Sequence, residues 1–186
     1  MRALLAFAPI LLVGCDRTHQ YFPLEAGRAA SYRIRREMTS HVEELRVDRQ
    51  ISVGGETGAI IASPMGECRV AWKNGMLLAS KLANSEFAPA LPLLAPNDIE
   101  TPIRWQGVVT TLGVSEKANA TLLQERSKLL LAGKNLPTIK TTITLDTPRR
   151  QIQLVSDYSA SNGLLRQTHH TNGAFDESIE LLVGPN

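Results

Sequence analysis

Apolar and polar residues alternate with a period of two along most of the chain. The segments 32–38, 45–53 and 68–72 place aliphatic or aromatic side chains at nearly every second position. Such alternation is typical of β-strands that bury one face. Asn74-Gly75 directly follows the third segment, and both residue types tolerate the positive φ angles of a two-residue turn. The first half of the chain therefore predicts strands joined by tight hairpins.

The alternation resumes after a proline-rich passage, at 103–112 and 138–145 and again from 152. The passage itself, 87–102, predicts a loop or extended crossover because proline donates no ladder hydrogen bond. The leucines of 120–131 fit a helical stripe as well as a strand, and we favour the strand. The whole pattern predicts a mainly β fold, a single antiparallel β-meander that forms a strongly curved sheet or barrel-like domain.

The N-terminus follows a different pattern. Arg2 precedes an uncharged, mostly apolar run, 3–13, that ends at Gly14-Cys15, an arrangement typical of a signal peptide. Eleven helical residues reach roughly 16 Å, too short for a bilayer core of about 30 Å. Leu12-Val13-Gly14-Cys15 resembles the lipobox of bacterial lipoproteins, in which the cysteine sulfur carries a diacylglycerol. That resemblance implies cleavage between Gly14 and Cys15; the alternative is an ordinary secretory signal.

These features divide the chain into three parts. Residues 1–14 are expected to be a cleaved signal peptide, 15–20 a lipidated cysteine with a short tether, and 21–186 a single β domain. The acyl chains would hold the protein to a membrane of the bacterial cell envelope, outside the cytoplasm. Asp16 resembles the signal that retains lipoproteins at the inner membrane, although an outer-membrane location stays open.

The short tether draws attention to basic residues near the start of the β domain. Five extended residues between Cys15 and Tyr21 span roughly 17 Å, which would keep the domain close to the membrane surface. Basic side chains there contribute about 1 kcal/mol each beside anionic headgroups. The alternative is a solvated strand face. The residues with these two interpretations are Arg28, Arg33, Arg35 and Arg36.

Composition limits the partners and the compartment. The 186 residues are 43% hydrophobic and 20% charged, which is typical of one folded domain. The formal charge of +2 supplies no field for a polyanion, so nucleic acid is not an expected partner. Of the two cysteines, Cys68 is unpaired once Cys15 carries lipid. We expect a buried, inert thiol; crosslinking or redox sensing is the alternative.

Several landmarks of the chain resemble a broad, largely uncharacterised group of bacterial lipoproteins. Their mature chains open Y-[YF]-P-L-x-x-G-x-x-W-x-Y, and residues 21–27 with Tyr32 match that opening, although Ala30 stands at the tryptophan position. Leu91-Pro92-Leu93 before Trp105, and 157–165, resemble later elements of the group. The resemblance implies a β-rich, curved-sheet lipoprotein and provides no catalytic residues.

The sequence contains no recognisable catalytic or metal-binding motif. His169 and His170 are adjacent, and adjacent residues of a strand point to opposite faces, so the two rings are not expected to share a metal. The same argument separates the carboxylates of Glu43-Glu44 and Asp176-Glu177. We therefore expect no enzyme activity, no metal and no cofactor beyond the lipid on Cys15.

The leading hypothesis is a membrane-anchored, non-catalytic binding or assembly module of the envelope. A curved sheet with an aliphatic inner face can enclose an apolar small molecule, and Trp72, Leu78 and Trp105 are the candidate pocket-lining residues. One alternative is a protein-interaction subunit of an envelope complex that uses an edge strand or the segment 87–102. An alternative from another class is an envelope hydrolase in which Asp157, His169 and Ser178 converge.

Overall fold

The computed structural model of the protein describes residues 17–63, 66–96, 101–160 and 162–183. The expected signal peptide, Gly14, Cys15 and Asp16 lie outside the described residues. A short 3-10 helix, Arg17–Tyr21, precedes twelve β-strands. The strands are β1 Ala29–Arg36, β2 Thr39–Val53, β3 Glu56–Ser63, β4 Gly66–Lys73, β5 Met76–Leu82, β6 Ser85–Leu94, β7 Ile103–Thr111, β8 Val114–Leu131, β9 Lys134–Asp146, β10 Gln151–Ser159, β11 Gly163–Thr171 and β12 Ala174–Val183.

The strands form one closed antiparallel barrel, which confirms the predicted fold class. Each strand pairs with its neighbours in sequence, and β1 pairs with β12 to close the ring. The segment 120–131 is strand, which confirms the favoured alternative, because β8 pairs with β7 through residues 114–122 and with β9 through residues 119–131. Asn74-Gly75 forms the predicted tight turn, with φ angles of 50° and 72°.

The proline-rich passage 87–102 was predicted as a loop or crossover, and the loop prediction is wrong for 87–94. These residues belong to β6, which pairs with β5 along most of its length but with β7 only at 85–88. Pro89 follows the last residue of that short ladder, so its missing N–H comes at the point where pairing with β7 ends.

Side chains replace the missing ladder beyond residue 88. The indole N–H of Trp105 donates to the carbonyl oxygen of Pro89 at 3.2 Å. Further along, the side-chain amide of Gln124 on β8 accepts from the backbone N–H of Ala95 and donates to its carbonyl oxygen, at 2.9 and 3.1 Å. These contacts satisfy backbone groups that a strand would otherwise satisfy. The β6–β7 seam is therefore the place where the barrel wall depends on individual side chains.

Opposite charges line the seam between the first and last strands. Arg36 on β1 contacts Glu177 on β12, with its Nε 2.6 Å from a carboxylate oxygen, and Arg33 lies 3.8 Å from Glu180. Both arginines lie directly opposite their acidic partners in the antiparallel register. Cross-strand pairs of opposite charge favour this alignment over slipped ones.

The two ends of the barrel differ. The chain enters β1 at one end, which we call the floor end, and the turn at 37–38 lies at the other, the mouth end. The segment before β1 covers the floor: the ring of His19 stacks on Trp72 with 4.8 Å between centroids, and Phe22 meets Tyr158 edge to face. The indole N–H of Trp72 donates to the carbonyl oxygen of Phe22 at 2.9 Å. Residues 17–20, predicted as tether, therefore belong partly to the folded domain.

Candidate ligand-binding site

The barrel encloses a cavity of about 780 Å³. This volume lies in the upper part of the range of about 300–1,000 Å³ that is usual for small-molecule sites. The cavity arises because inward positions carry aliphatic side chains and only a few aromatic ones, which do not fill a ring of twelve strands. It is thus large enough to hold a ligand.

The walls of the cavity are mostly apolar from the floor upward, with Gln167 on β11 as a polar exception. Phe22, Tyr158 and Leu164 line its floor. Aliphatic side chains at alternate positions of several strands line the sides, as the period of two requires. Among these are Val70, Leu91, Leu93, Ile143, Leu145 and Leu154.

Polar groups concentrate at the mouth. Arg36 and Glu177 form the ion pair described above and line the mouth together with His169, Asp176 and Arg150. His169 Nδ1 lies 3.0 Å from a carboxylate oxygen of Asp176, and the Thr171 hydroxyl donates to the same oxygen at 2.6 Å. The cavity therefore combines an apolar body with a charged rim, the profile expected for a site that holds an amphipathic molecule.

The predicted pocket residues do not line this cavity. Trp72 is buried at the floor end under His19 and Phe22, and Trp105 is buried in the β6–β7 seam. Leu78 is half-buried between Leu77 and Ala79, both fully buried. Neighbouring strand residues face opposite sides, so Leu78 lies on the outer face. An apolar pocket is present, and other side chains form it.

The four arginines proposed as membrane contacts are spread along the barrel. Arg28 lies at the floor end, 3.9 Å from the carboxylate of Glu25. Arg33 and Arg35 are exposed on β1, and Arg36 is at the mouth. Arg28 and Arg36 are separated by eight residues of extended chain, roughly 26 Å. They do not form one patch, and Arg33 and Arg36 bind acidic residues of β12.

The residues considered for a hydrolase do not converge. Asp157 is buried and contacts Arg166 at 3.2 Å, whereas His169 contacts Asp176. Ser178 lies between Glu177 and Ile179, which both line the cavity, so its side chain faces the other way. Among the residues that the structure describes, no cluster of three or more histidine, cysteine or acidic side chains could hold a metal ion.

Cys68 lines the cavity and is half-buried. Burial raises the pKa of its thiol, so the reactive thiolate is scarce at neutral pH. The thiol is only partly buried, because the side chain faces an interior space and is not packed on all sides. Its inertness stays a prediction. A molecule in the cavity would lie against the thiol.

Tyr158 supplies a prediction about alkaline stability. Burial raises the pKa of its phenol from 10.0 to about 12. Between these values the phenol is deprotonated in the unfolded chain and protonated in the folded chain. The contribution of Tyr158 to the free energy of unfolding is therefore fully present below pH 10 and is lost as the pH rises toward 12. At about pH 11 the loss due to this residue is roughly 1.4 kcal/mol. Urea denaturation of the wild type and of Tyr158→Phe at about pH 8 and 11 checks it.

Tyr158→Phe should lose less stability on going to the higher pH than the wild type does. Equal losses of stability in the two proteins would contradict the assignment of this alkaline destabilisation to Tyr158. Tyr32, whose pKa is also raised mainly by burial and whose hydroxyl donates to the carbonyl oxygen of Leu164 at 2.9 Å, is present in both proteins, and the charge of Tyr158 contributes to its pKa shift. The comparison therefore measures Tyr158 together with its electrostatic coupling to Tyr32.

Sequence reasoning missed Arg150, the partly buried cation at the mouth. The signal was present: Arg150, Ile152 and Leu154 follow one another at two-residue spacing, which places a cation on the same face as the apolar series. Only the closed barrel shows that this face is the inside.

No helix within the described ranges has the length and apolar character needed to cross a membrane. A scan against protein-family models finds no match to this chain. A search of curated proteins finds no match either.

Several solved structures are similar. A candidate lipoprotein from Parabacteroides distasonis has a TM-score of 0.52 and 11% identity, covering 87% of this chain and 96% of its own. A candidate exported protein with a YmcC-like fold from Bacteroides fragilis has a TM-score of 0.49, 11% identity and the same coverage. The hypothetical lipoprotein YmcC from Escherichia coli has a TM-score of 0.45 and 16% identity, covering 90% of this chain and 87% of its own. The likeness to the Parabacteroides protein shows a shared fold.

Proposed function

We propose that this protein is a lipid-anchored, non-catalytic binding protein of the bacterial envelope that holds an apolar molecule inside its barrel. The observation that carries the proposal is the cavity of about 780 Å³ with apolar walls and one charged mouth. The signal-like N-terminus and the lipobox-like 12–15 support the anchor and the location.

The arrangement of the barrel suits ligand storage. The first described residues and the floor lie at the same end, with Phe22 and His19 covering the floor. Apolar side chains stand exposed in two turns at the mouth end, where Met38 is 100% and Leu112 83% exposed. Exposed apolar residues beside an opening are typical of sites that ligands or partners contact. A ligand would therefore enter at the end away from the anchor.

The alternative of a protein-interaction subunit has less support. Barrel closure pairs β1 with β12, so within the described ranges the sheet edge that such recognition uses is confined to short stretches, among them 39–45 of β2, 89–94 of β6 and 114–118 of β8. An occupied cavity and an interaction surface are also compatible with each other.

Energy transfer from tryptophan tests the proposal directly. Both tryptophans of the chain lie in the barrel, so transfer to cis-parinaryl alcohol, a neutral fluorescent lipid analogue, reports only molecules bound to the protein. We expect saturable transfer with a Kd of about 1 μM or tighter, which corresponds to roughly −8 kcal/mol. Transfer that rises linearly without saturation would overturn the proposal.

Cys68 provides an independent readout in the full chain carrying Cys15→Ser, where it is the only remaining cysteine. Saturating cis-parinaryl alcohol should slow the reaction of Cys68 with N-ethylmaleimide about tenfold, because the occupied cavity shields a thiol that is already poorly ionised. The denatured protein in urea should react at the same rate with and without the alcohol. Equal rates in the folded protein would place the bound molecule elsewhere.

A further inference from the structure

Arg150 is held in a defined position at the mouth. It immediately precedes β10, and the turn before it is closed by hydrogen bonds in both directions: Thr147 N–H donates to the Arg150 carbonyl oxygen at 2.9 Å, and Arg150 N–H donates to the Thr147 hydroxyl at 3.2 Å. Its guanidinium donates one hydrogen bond to the Thr111 hydroxyl on β7, at 3.1 Å. The side chain is half-buried and lines the cavity.

The guanidinium of Arg150 has unused donors. A guanidinium carries five N–H groups, and Thr111 is the side chain that Arg150 contacts within the part of the chain the structure describes. The neighbouring arginines differ, since Arg149 lies 3.0 Å from the carboxylate of Glu116 and Arg36 lies 2.6 Å from that of Glu177. Arg150 is thus a partly desolvated cation without a carboxylate partner among the described residues.

The acidic groups at the mouth do not neutralise it. Glu177 contacts Arg36, and Asp176 is bound by His169 and Thr171. Glu37 is exposed at the turn of 37–38, where water screens its charge.

The strand that begins after Arg150 continues into the apolar cavity. Ile152, Leu154 and Tyr158 follow on the same face and all line the space. From Arg150 to Tyr158 the chain extends roughly 26 Å at the rise of a strand. Arg150 and the strand that follows it therefore place a cation at the mouth and a row of apolar side chains below it.

We propose that the cavity takes a single-chain amphiphile with an anionic headgroup, whose acid oxygens bind the free donors of Arg150 while its hydrocarbon chain lies along β10 toward Tyr158. A guanidinium binds a carboxylate or a phosphate with two parallel hydrogen bonds, so fatty acids and alkyl phosphates share the required chemistry. This inference rests on the proposed function and adds the class of ligand.

The test compares cis-parinaric acid with cis-parinaryl alcohol, which share the hydrocarbon chain and differ in the headgroup. At about pH 8 we expect the wild type to bind the acid about tenfold more tightly than the alcohol, the contribution of a charge-assisted hydrogen-bond pair. Arg150→Gln should abolish this preference by weakening the acid about tenfold and leaving the alcohol within twofold. Arg150→Lys should keep part of the preference.

Arg149→Gln is the matched control, because it removes an adjacent arginine that already has a carboxylate partner and is 72% exposed. It should keep the preference for the acid. Competition by oleate and by oleyl phosphate then distinguishes a carboxylate from a phosphate headgroup.

The outcomes separate the two proposals. Equal affinity of the wild type for acid and alcohol would overturn the headgroup inference and leave the apolar-binding function standing. Binding of neither probe would overturn the function itself. A loss of acid preference in Arg149→Gln equal to that in Arg150→Gln would show a general charge effect and would also overturn the inference. The wild-type comparison does not depend on any variant folding.

Discussion

Gly107→Val is expected to destabilise the barrel by roughly 3 kcal/mol, in the upper range for overpacking a close contact. A Cβ atom at this position would lie 2.6 Å from the carbonyl oxygen of Ala88 and would overlap the indole ring of Trp105. The backbone oxygen cannot move aside without displacing β6. The ring is also fixed, since its N–H donates to Pro89 and its edge meets Phe87 at 6.3 Å between centroids.

Because Gly107 lies at the β6–β7 seam, the substitution should destabilise the barrel more than the added side-chain volume alone would. Only 85–88 of β6 pair with β7, so moving Trp105 removes the contact that continues the seam. Urea denaturation of Gly107→Val measures the effect. Gln106→Val, which places the same side chain at the adjacent exposed position, is the control and should change stability by no more than about 0.5 kcal/mol. A Gly107→Val protein as stable as that control would contradict the role assigned to the seam.

Leu154→Trp is expected to weaken the binding of cis-parinaryl alcohol about a hundredfold, or roughly 2.7 kcal/mol. Leu154 lines the middle of the cavity, and the larger indole would occupy space needed by three or four methylenes of the probe. Each buried methylene contributes about 0.8 kcal/mol. Because the indole fills an existing space with apolar surface, we expect the free energy of unfolding to stay the same or rise by about 1 kcal/mol.

Gln153→Trp is the matched control. Gln153 is exposed and adjacent to Leu154, so its side chain points out of the barrel. It should leave probe affinity within about twofold, since no buried contact changes. Unchanged binding in Leu154→Trp, measured by tryptophan energy transfer with each variant's own free-protein baseline, would show that the probe occupies another part of the molecule.

Local patterns predicted the strands well and the wall of the cavity poorly. The alternation of apolar and polar residues and the Asn74-Gly75 turn depend only on residues close together in the chain, so both can be recognised from the sequence alone. Whether Trp72 lines a pocket depends on 17–22, which cover it with His19 and the carbonyl oxygen of Phe22. That contact joins residues about fifty positions apart and has no signature in either segment.

The segment 87–94 illustrates a second limit. The prolines predicted that this segment would not pair with neighbouring strands. On the β7 side this is correct, because pairing stops at Ala88. On the β5 side the same residues pair through irregular register, with Pro92 opposite Leu78. A strand has two edges, and composition alone does not show at which edge the backbone N–H groups are not needed for pairing. Arg150 was missed for a related reason, because the inner face of a strand becomes known only when the sheet closes.

The charged seam between β1 and β12 has a consequence for assembly during synthesis. β1 is made well before β12 and carries an unpaired edge until β12 has been synthesised. Two nascent copies that paired β1 with β1 would bring arginines together, and like charges opposite each other disfavour such pairing. Arg33 and Arg36 instead match Glu180 and Glu177, which a second copy's β12 also carries. The charges therefore suppress β1–β1 aggregation, while an exchange of β12 between two copies, a domain-swapped dimer, is the misassembly that they leave open.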